Sequence, residues 1–172
     1  MGRRIALAIL AILSVSVVGR GENRPPPEIY VGFPLLFRDA SSQLFGVHGD
    51  VTFPVRPWIG IAGDAALHVG EVYAEKSLFT GMAGPVLSVN TGSRFRIFGH
   101  ALLGVATSGC GDFQNGCQSA TVFSRAFGGG LYFLPGNRVG FRVSADELAT
   151  NFADNHQHYL RLSFGAGFKI GK

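Results

Sequence analysis

The sequence predicts an all-β protein, an eight-stranded antiparallel up-and-down transmembrane β-barrel. Hydrophobic residues make up 47% of the 172 residues and charged residues only 15%, whereas soluble domains carry about 25% charged residues. No apolar run approaches the ~20 residues that a membrane-spanning helix needs. After residue 20, large apolar residues alternate with small or polar ones at the period of two that is typical of strands. Together, these observations favour a protein that crosses a membrane with strands.

Residues 1–19 have the three zones of a secretory signal peptide. Arg3 and Arg4 precede the apolar run Ile5–Val18, and small residues close the segment. The alternative is a short N-terminal anchor helix, but the run is too short to span a membrane. We expect cleavage after residue 19, which leaves residues 20–27 as a proline-rich periplasmic leader. Cleavage removes two of the arginines behind the formal net charge of +4, so this charge does not support a nucleic-acid partner.

The expected barrel domain, residues 28–172, contains eight alternating segments separated by turn residues. The predicted strands are 28–37, 46–55, 58–68, 78–89, 95–106, 121–133, 139–147 and 159–170. The connections between them alternate in length, and the long ones are 38–45, 69–77, 107–120 and 148–158. Long outer loops that alternate with short periplasmic turns are typical of an outer-membrane barrel.

Each predicted strand has one face of large apolar side chains and one face of small or polar side chains. An eight-stranded barrel has a lumen only just wide enough for side chains to fill. The small and polar face must therefore point inward and the large apolar face outward. An apolar exterior is stable only in lipid, and closure of the sheet satisfies the backbone groups that hydrocarbon cannot.

Charged residues at predicted inward positions form the best-defined candidate site. They are Asp50, Asp64, Arg96, Arg142, Asp146, Arg161 and Lys169. Because buried charges must be paired, we expect a lumen ionic network in which Arg142 and Arg161 face the three aspartates. Such a network either lines a narrow pore or plugs the lumen, and the small strand number favours the plug. The predicted inward histidines are expected to fill hydrogen-bonding roles; they are His48, His68 and His100.

Arg125 is the exception on the outward face. An arginine at the middle of a membrane costs about 2–4 kcal/mol, falling to about 0–1 kcal/mol near the interface. Either Arg125 lies at the edge of the hydrocarbon, or a bulge at residues 128–130 turns its side chain inward. The sequence leaves both arrangements open.

The predicted long connections carry two further groups of candidate residues. Cys110 and Cys117 lie in the third long connection, where an oxidising compartment favours a disulfide that closes the loop. Free thiols or a metal pair are the alternatives, although the spacing matches no zinc pattern. Asp154, His156 and His158 could chelate a divalent metal, but polar loop residues are usually only solvated. We therefore expect no metal and no cofactor.

An enzyme that modifies outer-membrane lipids is a competing hypothesis. Nucleophilic catalysis of this kind requires a serine and a histidine within hydrogen-bond reach of each other. The predicted outward face contains neither residue type. The sequence therefore favours a protein that is not an enzyme.

Five glycine-rich segments resemble the bacterial outer-membrane β-barrel domain family, the small eight-stranded OmpA-like barrels. They are residues 80–88, 98–105, 127–131, 141–146 and 160–168, and the resemblance covers roughly residues 28–170. Three positions depart from the family pattern: Val86 replaces a basic residue, Glu147 replaces an aromatic residue, and Gly171 and Lys172 follow the last strand where an aromatic residue usually closes it.

The resemblance implies an integral protein of the cell outer membrane and supplies no catalytic site. Because loops on rigid scaffolds commonly carry function, we expect a structural or surface-loop binding role. The expected partners are outer-membrane lipid, lipopolysaccharide and the barrel-insertion machinery during assembly. Without the aromatic residue at the end of the chain, recognition by this machinery would rely on Phe168. A monomer without a nucleic-acid partner is expected.

Overall fold

The computed structural model describes residues 26–39, 42–72, 75–92, 94–109, 119–134, 138–152 and 155–170. These residues form eight strands: β1 (Glu28–Asp39), β2 (Ser42–Arg56), β3 (Ile59–Val72), β4 (Glu75–Asn90), β5 (Phe95–Gly109), β6 (Ala120–Phe133), β7 (Val139–Phe152) and β8 (Asn155–Lys169). The predicted signal peptide, most of the predicted leader, and both cysteines lie outside the described residues.

The eight strands form one closed antiparallel barrel in chain order. The first and last strands close it through a ladder that runs from Glu28 opposite Lys169 to Phe37 opposite Leu160. Closure leaves no strand edge with unpaired backbone groups. The predicted fold class is confirmed. We call the end that holds Glu28 and Lys169 the terminal end, and the opposite end the loop end.

In the described part of the chain, no helix is long and apolar enough to cross a membrane.

All eight predicted strands are present, but several extend further toward the loop end than predicted. The pairs Asp39 with Ser42 and Phe152 with Asn155 continue the ladders almost to the ends of the hairpins. The predictions of long connections at 38–45, 69–77 and 148–158 are therefore wrong. These segments are too polar to show the apolar face that marks a membrane-spanning strand, yet backbone pairing does not require that face. The connection between β5 and β6 remains the longest.

The predicted assignment of the two faces is confirmed. Outward side chains such as Phe33, Phe141 and Phe164 are exposed to 59%, 59% and 51%. Inward side chains such as Tyr30 and Leu102 are almost completely buried. Alternation at period two therefore separates an apolar outer wall from a filled lumen along each strand.

Glycines on the inward face provide the volume that the large lumen side chains occupy. A Cβ atom at Gly128 would lie 2.2 Å from Oδ1 of Asp146, and one at Gly32 would lie 2.1 Å from the hydroxyl oxygen of Tyr30. No side chain larger than hydrogen fits beside these groups without displacing them. The glycine-rich composition is thus partly a consequence of the narrow lumen.

Arg125 lies on the outward face of β6. The pairing of β6 with β5 and with β7 continues without a shift in register through residues 128–130. Arg125 is opposite Leu103 on one side and Ala149 on the other, and its side chain is exposed. The alternative in which a bulge turns Arg125 inward is therefore wrong.

Candidate functional site

The lumen holds a stack of ion pairs that extends from the terminal end to the middle of the strands. We call this stack the lumen network. Its members are Glu28, His48, Asp50, Asp64, Arg96, His100, Arg142, Asp146 and Arg161. Six of the seven predicted inward charges belong to it, and Glu28 and the two histidines complete it. The seventh, Lys169, lies at the terminal rim of the barrel.

The first pair of the network lies at the terminal end. Arg96 of β5 donates hydrogen bonds from both terminal nitrogens to the two carboxylate oxygens of Glu28 on β1, one of them at 2.8 Å. The Arg96 guanidinium also lies 4.5 Å from the ring centroid of Tyr132. Sequence reasoning missed Glu28, although it shares the inward parity of Tyr30 in β1. The alternation of inward and outward positions, extended to the first residue of β1, predicts that the Glu28 side chain points inward.

The second pair joins β7 to β2 and is surrounded by aromatic rings. Arg142 donates to the carboxylate of Asp50 and, at 3.2 Å, to the hydroxyl of Tyr132. Its guanidinium carbon lies 4.4 Å from the ring centroid of Tyr30 and 4.2 Å from that of Phe98. Aromatic faces attract a desolvated cation, so the rings and the carboxylate together compensate for the burial of Arg142.

The third layer is centred on Arg161, whose side chain is fully buried. Its two terminal nitrogens donate to the two oxygens of Asp64 at 3.1 Å each, and its Nε donates to Asp146 at 3.0 Å. Two histidines extend the layer. Nε2 of His48 lies 2.6 Å from Asp64, and Nε2 of His100 lies 2.9 Å from Asp146. One arginine thus neutralises two carboxylates, of which Asp64 also has a hydrogen bond with His48 and Asp146 lies within ion-pair distance of His100.

Sheet pairing explains why the arginines are needed. Asp50 and Asp64 are directly opposite each other on β2 and β3, and like charges in this arrangement are destabilising. Arg142 and Arg161 reach them from β7 and β8, on the other side of the lumen. The ion pairs therefore connect strands that the backbone ladder does not connect.

The lumen above the network is filled by buried side chains of both kinds, and the buried polar ones include His68, Thr80, Ser108, Ser124 and Thr150. Buried side chains near the loop end pack into a plug that includes Leu36, Leu44, Leu78, Leu148, Phe152 and Tyr159. A cavity of about 50 Å³ lies below this plug, among Glu28, Arg96 and Arg142. Since one water needs about 10–15 Å³ of such volume, this cavity has room for a few waters and no larger ligand. The geometry is that of a plugged barrel rather than an open channel.

His48, Asp50 and Asp64 each offer a ligand atom within 4.8 Å of the other two. Both carboxylates, however, already bind an arginine, Asp50 through Arg142 and Asp64 through Arg161. A divalent cation at this position would face two fixed positive charges. The group is therefore built for ion pairing within the protein and is a poor cation site.

The outer surface near the loop end carries a few polar groups. His156 and His158 are exposed on β8 because this strand begins at Asn155, earlier than predicted. The prediction that no histidine faces outward is therefore wrong. Nδ1 of His158 lies 2.8 Å from Glu147 on β7, and the residue opposite His158 in the ladder is Ala149. Asp154, the third member of the predicted cluster, lies outside the described residues.

The fold and the lumen define a class: small closed β-barrels with an apolar outer wall and a plugged interior. No family model matches the sequence, and no curated protein matches it significantly. The similarity is to solved structures.

Neisserial surface protein A (NspA) superposes with a TM-score of 0.73 at 12% identity, over 87% of this chain and 100% of that one. The N-terminal β-barrel domain of Pseudomonas aeruginosa OprF has a TM-score of 0.62 at 13% identity, over 86% and 100% of the two chains. Ail, the attachment invasion locus protein of Yersinia pestis, has a TM-score of 0.51 at 19% identity, over 85% and 100%. At these identities the likeness establishes a shared fold, and it confirms the predicted resemblance to small eight-stranded barrels.

Proposed function

We propose that this chain is an integral outer-membrane protein that displays a binding surface on a plugged, rigid barrel. The observation that supports the membrane location is the apolar outer wall. Phe45, Val89 and Phe123 are exposed to 61%, 63% and 61%, and comparable residues surround the barrel on all eight strands. Soluble monomers rarely expose contiguous apolar patches larger than a few hundred Å². A wall of this kind is stable when lipid covers it.

The proposed orientation places the terminal end in the periplasm and the loop end outside the cell. Bacterial barrels have short periplasmic turns and longer outer loops. The longest connection, residues 110–119, is at the loop end. In this orientation the expected disulfide between Cys110 and Cys117 would close a surface loop in an oxidising compartment.

The role that the architecture supports best is structural, with surface binding by the connection between β5 and β6. Loops on rigid scaffolds commonly carry binding functions. The plug of buried side chains above the ion pairs argues against a pore. The outward His158 contacts Glu147, but the residue opposite it in the ladder is Ala149 and not the serine that a lipid-modifying enzyme of this kind requires. Outer-membrane lipid, lipopolysaccharide and the insertion machinery complete the proposed set of partners of a monomeric barrel.

Membrane placement is tested by fractionation and gel mobility. The protein should partition with outer membranes and should migrate differently before and after boiling, because a folded barrel resists unfolding by the gel detergent. Recovery of the protein in the soluble fraction, without a mobility shift, would refute the proposal.

Orientation is tested by labelling Cys110 and Cys117 on intact cells with a membrane-impermeant maleimide after reduction. We expect labelling of intact cells and none of the variant in which both cysteines are serine. Labelling that requires cell lysis would contradict the orientation. Omission of the reductant tests the disulfide in the same experiment, since oxidised cysteines do not react.

The binding role is tested by replacing residues 110–119 with a short glycine-containing turn. Adhesion of expressing cells to surfaces that bind the unchanged strain should fall, while barrel folding, measured by gel mobility, should be retained. Equal adhesion of the two strains would refute surface binding by this loop. In that case, a strain that lacks the whole protein should be more sensitive to detergent than its parent, which would indicate a structural role in the outer membrane.

A further inference from the structure

Two basic side chains lie next to each other at the terminal mouth of the lumen. Arg138 immediately precedes β7, and Lys169 is the last residue of β8. The backbone amide of Lys169 donates to the carbonyl of Arg138 at 2.9 Å, so the two residues are neighbours across these strands. Each is adjacent in sequence to an exposed outward residue, Val139 or Phe168, and alternation therefore turns both basic side chains toward the lumen. We call Arg138 and Lys169 the mouth pair.

The mouth pair has no acidic partner within the described ranges, since neither residue belongs to an ion pair. Glu28 is opposite Lys169 in the ladder that closes the barrel, but both oxygens of its carboxylate accept hydrogen bonds from Arg96. Like charges that are directly opposite each other destabilise a sheet. The described part of the chain therefore leaves two adjacent positive charges without a counter-charge.

The lumen network shows the opposite case. Asp50 and Asp64 are also opposite each other, but arginines from the other side of the lumen reach both of them. No carboxylate reaches the mouth pair in this way within the part of the chain that the structure describes. Arg138 is exposed and Lys169 is partly exposed at the open end of the lumen, so the solution can supply a counter-ion.

A small cavity of about 10 Å³ lies beside the mouth pair, which forms part of its lining. Gly140 and Gly167 also line it and are opposite each other, one inward position further into the lumen. Because neither glycine has a side chain, the space above the two basic residues stays open. One water needs about 10–15 Å³ of such volume, so this cavity can accept about one oxygen atom of a ligand whose remaining atoms lie in the open mouth.

The unused electrostatic capacity around this mouth is positive. Arg96 lines both this cavity and the larger one, and its Nε is buried without an acceptor among the described residues. Arg56 lines the larger cavity and belongs to no ion pair within the described ranges. The carboxylates that line the two cavities are already paired with arginines; they are Glu28, Asp50 and Asp64. A ligand at this mouth should therefore be an anion.

We propose that the mouth pair binds a phosphate group at the terminal mouth of the lumen. A phosphate group carries about 1.5–2 negative charges at neutral pH and three strong acceptor oxygens, which matches two adjacent cations. Arginine binds such a group through two parallel hydrogen bonds, and lysine binds it as a point charge. The phosphate is either a free ion or the end of a larger molecule. A periplasmic source rests on the proposed orientation of the barrel, whereas the binding itself depends only on the mouth.

The experiment titrates inorganic phosphate into the full chain in phosphatidylcholine nanodiscs, which leave both ends of the barrel open to solution. Calorimetry at constant ionic strength should show saturable binding at one site per barrel. The variant with Arg138→Gln and Lys169→Gln should bind at least about tenfold more weakly, because a hydrogen bond to a charged group is worth a factor of ten or more. The matched control, Arg94→Gln with Arg125→Gln, also removes two charges but alters neither cavity lining, so it should retain the affinity.

Two further anions define the ligand. Acetate at the same ionic strength should bind more weakly than phosphate, because it carries only one charge. Glycerol 3-phosphate separates the two sources of the phosphate group. Binding equal to that of inorganic phosphate supports a group at the end of a larger molecule, and weaker binding supports free phosphate as the ligand. Raised salt should weaken phosphate binding, because exposed charges are screened.

Three results would overturn the inference: no saturable binding by the unchanged chain, equal affinity for acetate and phosphate, or an affinity that survives the double substitution in the mouth pair. None of them contradicts the proposed membrane placement, which fractionation and gel mobility test separately. Gel mobility before and after boiling shows that each variant is folded. Because the double substitution removes a repulsion between like charges, this variant without phosphate should unfold at a urea concentration no lower than that of the unchanged chain. Loss of binding is then separated from loss of folding.

Discussion

Arg161 on β8 binds Asp64 on β3 through two hydrogen bonds of 3.1 Å each, across the lumen and across 97 positions of sequence. The same guanidinium donates its third nitrogen to Asp146 on β7. Both side chains of the principal pair are almost fully buried. This contact connects strands that are not neighbours in the sheet, and it explains how a narrow lumen holds two aspartates without repulsion.

Substitution Arg161→Met should destabilise the barrel strongly. Loss of one partner of a buried ion pair costs about 3–5 kcal/mol, because the remaining charge is buried without compensation. Here two carboxylates, Asp64 and Asp146, lose their common cation. The free energy of unfolding can be measured by urea titration in vesicles, with Trp58 fluorescence as the signal.

Two further variants make this prediction specific. Addition of Asp64→Asn and Asp146→Asn to the methionine variant should restore part of the lost stability, because the uncompensated charges are removed. Arg96→Met should cost less than Arg161→Met, since the Arg96 side chain is 16% exposed and its partner retains access to water. Equal losses for Arg96→Met and Arg161→Met would show that burial does not decide the cost.

Gly128→Ala should destabilise the protein through overpacking of the lumen. The new Cβ would lie 2.2 Å from Oδ1 of Asp146 and 2.4 Å from the carbonyl oxygen of Ala145. Forced shifts of this kind cost about 1–3 kcal/mol. The matched control is Gly63→Ala, because a Cβ at Gly63 has no neighbour within 4 Å. The same loss at both positions in urea titration would mean that glycine flexibility, and not lumen space, is responsible.

Arg125→Leu should stabilise the barrel slightly. Arg125 faces outward five positions after β6 begins, close to the upper edge of the apolar wall, where removal of an arginine is expected to gain about 0–1 kcal/mol. Ala145→Arg places the same charge near the middle of the wall and should cost about 2–4 kcal/mol. Refolding equilibria in vesicles measure both changes. A gain of several kcal/mol from Arg125→Leu would place this residue deep in the hydrocarbon instead.

The unchanged protein should show no stable conductance steps in a planar bilayer. The plug of buried side chains near the loop end, which includes Leu36, Leu44 and Leu148, separates the cavity at the terminal end from the opposite side. Gramicidin added afterwards serves as the control that the bilayer supports single-channel recording. Discrete, reproducible steps from the purified barrel would contradict the plugged lumen and restore the pore hypothesis.

The sequence predicts the strands, and the direction of their side chains, correctly where they face lipid. It does not predict how far the hairpins extend beyond the apolar wall. Residues such as Asn151 and His156 pair across β7 and β8, yet their polarity is typical of loops. The chemical pattern reports contact with lipid, whereas strand pairing depends on the backbone. Where a strand continues beyond the apolar wall, its outward residues are polar, and alternation of apolar and polar side chains no longer identifies the strand.

The outward and the lumen-filling residues can be read from the amino-acid order, because alternation along a strand is a local property with a period of two. The partner of each lumen charge, in contrast, follows only from the folded barrel. Arg142 meets Asp50 and Arg96 meets Glu28 across the lumen, and these choices depend on barrel closure and strand register. Both are set by pairings far apart in the chain, which no local pattern encodes.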